Sequence, residues 1–321
     1  MPDFANPAPV SLRARLMHPV IRLTIGRVMS SPAPHPKQRA GLLRAGALLR
    51  PLHARGGRIQ PQTTAGVPGL LVTPTGADRQ RVLIYFHGGG YAVGAPSLYT
   101  SMASRLAALT GARVLLPDYR LAPEHPFPAA IDDALAVYRA VLASGVPAAH
   151  IAFGGDSAGG GLSLACALAA RDAGMPQPAA ILTYSPWTDL TVSGDSFLGN
   201  AATELVLSPR EAERFVRSYL GDGDRRNPLA SPLFADLRGL PPLLIQAAAS
   251  EILVDDSRRL ADNARQAGVD TELQIWNGVW HVWQAMPVLV PEADAALERR
   301  RVSATRLAFV IFVPKINFYK I

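Results

Sequence analysis

Gly154-Gly155-Asp156-Ser157-Ala158-Gly159-Gly160 is the stretch that decides the fold. It follows an apolar run, HIAFGG (150–155), that reads as a strand, and precedes an apolar run, 157–173, that reads as a helix. A serine between two glycines at such a junction is the pattern of a nucleophile elbow. The turn is too tight for a Cβ at 155 or 159, and it lifts the serine hydroxyl above the end of a sheet. The bland alternative is a glycine-rich strand-to-helix turn with an incidental serine, so the surroundings have to carry the reading.

Outward from the elbow, short β-branched or apolar runs alternate with helical stretches. RVLIYF (81–86), ARVLLP (112–117), AAILTYS (179–185), PLLIQAA (242–248) and TELQIW (271–276) read as strands beside HIAFGG. Residues 98–109, 128–143 and 256–267 read as helices between them, and GVPGLLVTP (66–74) as an extended piece at the sheet edge. This alternation predicts an α/β chain: a mostly parallel sheet with helices on both faces. Two regions break it. Residues 1–58 are arginine-rich and helical in pattern, and residues 188–240 interrupt the sheet between its fourth and fifth strands. In the latter, Ser208 with Pro209 and Glu211 reads as an N-cap, a first-turn proline and a capping-box partner. Both regions are expected to form a helical cap: 1–58 its N-terminal part, 188–240 an insertion in a catalytic domain spanning 59–298.

Composition narrows the function class. With 49% apolar and 18% charged residues the chain is globular, and no stretch approaches the roughly 20 apolar residues of a membrane span. The lack of a continuous apolar leader at the start suggests a cytoplasmic protein. The net charge of +7 divides into +9 on 1–58, +6 on 299–321 and −8 between them. Basic ends on an acidic body do not form a basic groove, so nucleic acid is not an expected partner. Leu12, Leu16, Val20 and Leu23 make an apolar stripe with Arg13, Arg15, Arg22 and Arg27 around it. The plain reading packs that stripe on the enzyme; the alternative is membrane association through residues 1–30. The single cysteine, Cys166, reads as a buried, inert thiol.

His87-Gly88-Gly89-Gly90 closes the strand 81–86. The amides of Gly88, Gly89 and Gly90, with the N–H of Ala158, are candidates for an oxyanion hole. Among seven histidines, only His281 follows the last strand into a loop at the catalytic end, so it is the candidate base. The candidate acid lies after PLLIQAA, where Glu251, Asp255 and Asp256 stand. Glu251 is favoured because it is nearest the strand end, while the two aspartates suit the first turn of the following helix. Of Trp187, Trp276, Trp280 and Trp283, most are expected to pack in the core.

HGGG (87–90), DYRLAPEHPFPAA (118–130), GDSAGG (155–160), NPLASPL (227–233), EILVDDS (251–257) and HVWQ (281–284) together resemble the motifs of the hormone-sensitive lipase family, the bacterial family IV esterases, in their order. The likeness runs from about residue 66 to 297. It implies an α/β-hydrolase fold with an N-terminal helical cap and hydrolysis of short- to medium-chain acyl esters by Ser157, His281 and Glu251, with no metal or organic cofactor. Glu251 stands thirty residues before His281, the spacing of that family's acid. A homodimer is compatible with it. A lactone or amide hydrolase, or a binding protein that keeps the pocket, are the alternatives on the same fold. The basic and then apolar tail 299–321 has no family counterpart, and Ala248-Ala249 replace a glycine often found before the acid.

Overall fold

The computed structural model describes residues 4–5, 10–49 and 57–299; residues 300–321 of the atypical tail lie outside them. The described strands are β1 (Phe4–Ala5), β2 (Arg58–Pro61), β3 (Gly69–Thr73), β4 (Asp78–Phe86), β5 (Ala112–Pro117), β6 (Ile151–Asp156), β7 (Ala180–Tyr184), β8 (Leu243–Ala248) and β9 (Thr271–Trp276). They form one sheet in the order β1-β9-β8-β7-β6-β4-β5-β3-β2. Pairing is parallel from β1 through β5, and antiparallel where β3 meets β5 and β2 meets β3.

The central strands β6, β7 and β8 are buried at every position. That is why they read as continuous apolar runs rather than alternating ones: a parallel sheet is covered on both faces. Period two still sorts the side chains. Ile84, Phe86, Phe153, Ile181 and Ile245 fall in one core layer, with the helices Ala129–Ala143, Ala158–Asp172 and Val254–Gln266. Leu83, Tyr85, Ala152, Leu182 and Leu244 fall in the other, against the helix Thr100–Thr110 and Leu297 of the helix Pro291–Glu298. Cys166 lies fully buried in the first layer, and burial pushes its thiol pKa up.

The expected edge piece differs in its position. Only Gly69–Thr73 of 66–74 is strand, and it is covered on its outer side by β2. β2 (RIQP) is short, largely exposed and ends in proline, as suits an edge strand, so its sequence lacks the apolar run that marks the others.

The helix Leu12–Ile21 lines the same cavity as Phe215 of the helix Pro209–Leu220, and the helix His35–Leu49 meets that last helix through His35. Ser208 Oγ accepts from Glu211 N at 3.3 Å, as an N-cap should, while the Glu211 carboxylate lies 2.9 Å from Arg214 Nε. His35 Nε2 is 2.8 Å from Ser218 Oγ, its ring stacks on Phe215, and Arg214 donates to Ala33 O at 2.8 Å. Arg39 donates to Ala92 O (2.8 Å) and Ala122 O (2.7 Å) and pairs with Glu124 at 2.7 Å. This one guanidinium pins the second helix over the glycine-loop segment. Arg39→Ala should orphan two carbonyls and lower the unfolding free energy by about 2 kcal/mol. Urea titration followed by circular dichroism would measure it, with Arg39→Lys recovering only part.

Candidate active site

β6 ends at Asp156 and the next helix begins at Ala158, so Ser157 alone makes the turn, at φ 51° and ψ −123°. A positive φ at a non-glycine residue costs of order 1–3 kcal/mol and persists only when its surroundings over-determine it. Here they do. Ser157 N donates to Tyr184 O at 2.9 Å, and Ser157 O accepts from Gly160 N (3.0 Å), Gly161 N (3.2 Å) and Trp187 N (2.9 Å). A Cβ on Gly155 would strike Gly159 O, and one on Gly159 would strike Phe86 O and His87 O. All three obstacles are backbone and cannot swing aside.

Ser157 Oγ lies 3.0 Å from His281 Nε2, and His281 Nδ1 lies 3.0 Å from Glu251 Oε2. All three residues are buried. Burial pulls the His281 pKa down, but the hydrogen bond and charge of Glu251, helped by Glu204 and Asp156, outweigh it and leave the imidazole above its ordinary value. Burial also raises the Glu251 carboxyl, against the bond and charge of His281 and the nearby Ser185 hydroxyl. The other two carboxylates weighed from the sequence serve elsewhere. Asp255 accepts from Ser196 N at 2.8 Å and pairs with Arg258 at 2.9 Å. Asp256 is buried, accepts from Thr188 N (2.8 Å) and Asp189 N (2.9 Å), and is pushed by burial up to about 7.

The glycine loop divides its amides. Gly88 N donates to Asp156 Oδ1 at 3.1 Å and to Tyr99 Oη at 3.2 Å. Tyr85 and Tyr99 hydroxyls donate to the same carboxylate, each at 2.9 Å. The Gly88 amide is therefore committed to Asp156, which removes it from the donors expected to face an oxyanion. Gly89 and Gly90, at φ 120° and 58°, line one cavity of about 320 Å³ with Ser157 and His281. Ala158 follows Ser157 as the first residue of the elbow helix. Burial raises the Asp156 carboxyl to about 6 despite its tyrosine donors. His87, buried and stacked on Tyr119 at 4.4 Å, is lowered by burial to about 4 and donates to Gly88 O; its role is to shape the loop.

Trp187 and Trp280 line the cavity, whereas Trp276 and Trp283 pack against each other in the core. Three residues that support Glu251 and His281 had no signal in the sequence. Ser185, at φ 48°, accepts from Val282 N at 3.2 Å and lies beside Glu251. Asn200 donates to Ala249 O (3.1 Å) and Glu251 O (2.9 Å), and Glu204 accepts from Ile252 N at 3.1 Å. Asn200 and Glu204 come from the insertion 188–240, so only folding brings them to the Glu251 loop.

Residues 83–285 match the family model of the alpha/beta hydrolase fold. The chain belongs to that family. An acetyl-hydrolase of Streptomyces hygroscopicus is 41% identical over 268 residues, covering 77% of this chain and 89% of that protein. A putative acetyl-hydrolase, LipR, of Mycobacterium tuberculosis is 36% identical over 243 residues, covering 76% and 79%. Among solved structures, an esterase from the bacterial hormone-sensitive lipase family superposes with a TM-score of 0.85 at 38% identity, covering 91% of this chain and 97% of that one. The chain is thus an enzyme of the esterase branch that includes the bacterial hormone-sensitive lipases.

Gly159→Ala should destabilise this hydrolase by about 3 kcal/mol or more, because the methyl meets only backbone. Thermal melts of the purified variant would check this; a variant as stable as the parent would refute the steric account.

Proposed function

We propose that the enzyme hydrolyses short- to medium-chain acyl esters through Ser157, His281 and Glu251. The observation that carries the reading is the unbroken line of two 3.0 Å contacts from Glu251 through His281 to Ser157. Neutral His281 takes the proton of Ser157 Oγ as that oxygen attacks the ester carbonyl carbon. Glu251 holds the imidazole in the tautomer with its proton on Nδ1 and stabilises the cation that forms. The carbonyl oxygen, now an oxyanion, accepts from the amides of Gly89, Gly90 and Ala158. The tetrahedral intermediate collapses, the C–O bond to the alcohol breaks, and His281 returns its proton to the departing oxygen. A water deprotonated by His281 then attacks the acyl-enzyme carbonyl, and the acid leaves as Ser157 regains its proton.

The helices 12–49 and 209–220 serve as the cap over this site in our reading. Their side chains Met17, Ile21, Ile25, Leu42 and Phe215 give the cavity its apolar wall, suited to an acyl chain. A wall of that kind with few polar groups favours chains the cavity can enclose over long ones that cannot enter.

Hydrolysis of p-nitrophenyl esters from acetate to palmitate should peak at the short end and fall on the order of 10⁴-fold or more in kcat for Ser157→Ala. A folded parent without activity on any of them would overturn the reading. Glu251→Gln should cost on the order of 10⁴-fold in kcat, while Asp255→Asn leaves the rate nearly unchanged. The base acts only when neutral, and His281 is held above the ordinary histidine value. So kcat/KM should rise with pH to a plateau, with its midpoint above about 6.5. Glu251→Gln removes the raising interaction, and the midpoint of its residual activity should move down. A pH–rate profile of both proteins would measure this.

A further inference from the structure

The first helix presents its apolar stripe outward. Leu12, Leu16, Val20 and Leu23 are 71%, 62%, 41% and 68% exposed, whereas Ala14 and Ile21 of the same helix are buried. Leu12, Leu16 and Val20 follow one another at four-residue spacing and so share one face. The reading that packs this stripe on the enzyme is reversed. The helix is anchored by its other side: Ser11 donates to Glu292 at 2.6 Å from its N and 3.0 Å from its Oγ, and His18 Nε2 contacts Gly278 O at 3.1 Å.

Four large apolar side chains in solvent, three on this helix and Leu23 on the helical turn that continues it, mark an interaction surface. Charge selects the occupant. Arg13, Arg15, Arg22 and Arg27 are exposed on the same segment, and residues 10–49 contain seven Lys/Arg and no Asp or Glu. A second copy docking by two-fold symmetry would set the same arginines against one another, a like-charge contact. An anionic lipid surface receives both features at once: the leucines enter the acyl boundary and the arginine stems extend to the headgroups. Position supports this choice. Val20, and Val288 at 47% exposure, also line the cavity that holds Ser157.

We propose that Leu12, Leu16, Val20 and Leu23, flanked by Arg13, Arg15 and Arg22, dock the enzyme on an anionic lipid surface with the cavity mouth turned toward it. The docking does not depend on the hydrolytic reading. Among the described residues no helix is long and apolar enough to cross a membrane.

The test is co-sedimentation of the full chain with phosphatidylglycerol/phosphatidylcholine vesicles and with phosphatidylcholine vesicles, at low and high salt. Binding is expected on the anionic vesicles, weakened by salt. It should fall about tenfold or more in Leu12→Ser/Leu16→Ser/Leu23→Ser and in Arg13→Gln/Arg15→Gln/Arg22→Gln, surface variants whose circular dichroism melts should match the parent. No sedimentation of the parent overturns the proposal. So does undiminished sedimentation of both variants, which would move binding to another segment. A parent dimer that becomes a monomer in the leucine variant, by light scattering, would assign the face to a second copy and overturn it too. Because sedimentation needs no turnover, these results are independent of whether p-nitrophenyl esters are cleaved.

Discussion

Ser157 has to leave a fully buried parallel strand and enter, within one residue, a helix whose first eleven residues are buried, and most of what surrounds the site follows from that demand. At φ 51° the peptide has few ways to be held, and four backbone hydrogen bonds from or to Ser157 hold it, reaching Tyr184 and Trp187 as well as the helix itself. The neighbouring glycines follow because the turn brings the backbone of residue 159 against that of 86 and 87. A side chain fixed in this way, acting as the nucleophile we propose, would lose little further freedom on reacting.

Three buried carboxylates near the catalytic end differ in their partners. Glu251 has an imidazole on one oxygen, so its charge falls on a group that can change protonation. Asp156, one residue from Ser157, has two phenols and the Gly88 amide, a set that holds the glycine loop to the elbow. Asp256 has two backbone amides and an arginine, and ties the insertion after β7 to the helix after β8. Burial raises all three; what each neighbour supplies decides whether the group orients a base, shapes a loop or joins two segments.

The stretch 10–49 combines opposite demands. Its inner side is apolar because it walls the cavity and packs on the sheet's end, and its outer side carries leucines and arginines without a single acid between residues 10 and 49. An amphipathic pattern alone cannot say which side of such a helix turns inward. Here Ser11 and His18, through Glu292 and Gly278, set the rotation, and both partners come from the far end of the chain.

The sequence by itself determined the strands inside the sheet's two edges, the elbow and the family. Buried parallel strands must be continuous apolar runs, and a Cβ-free turn must be glycine, so local chemistry writes both plainly. It also singled out Ser157 and His281, because strand order fixes which loops lie at the catalytic end. It preferred Glu251 by proximity, but only the fold showed Asp255 and Asp256 occupied with Ser196, Arg258, Thr188 and Asp189. The edge strand β2 was missed because a short exposed strand has no apolar signature, and the Gly88 amide was miscounted because its partner lies 68 residues away. Ser185, Asn200 and Glu204 around the acid, and the outward turn of Leu12, Leu16, Val20 and Leu23, were decided by tertiary structure alone. Each depends on contacts between segments far apart in the chain, and spacing along a sequence carries no record of those.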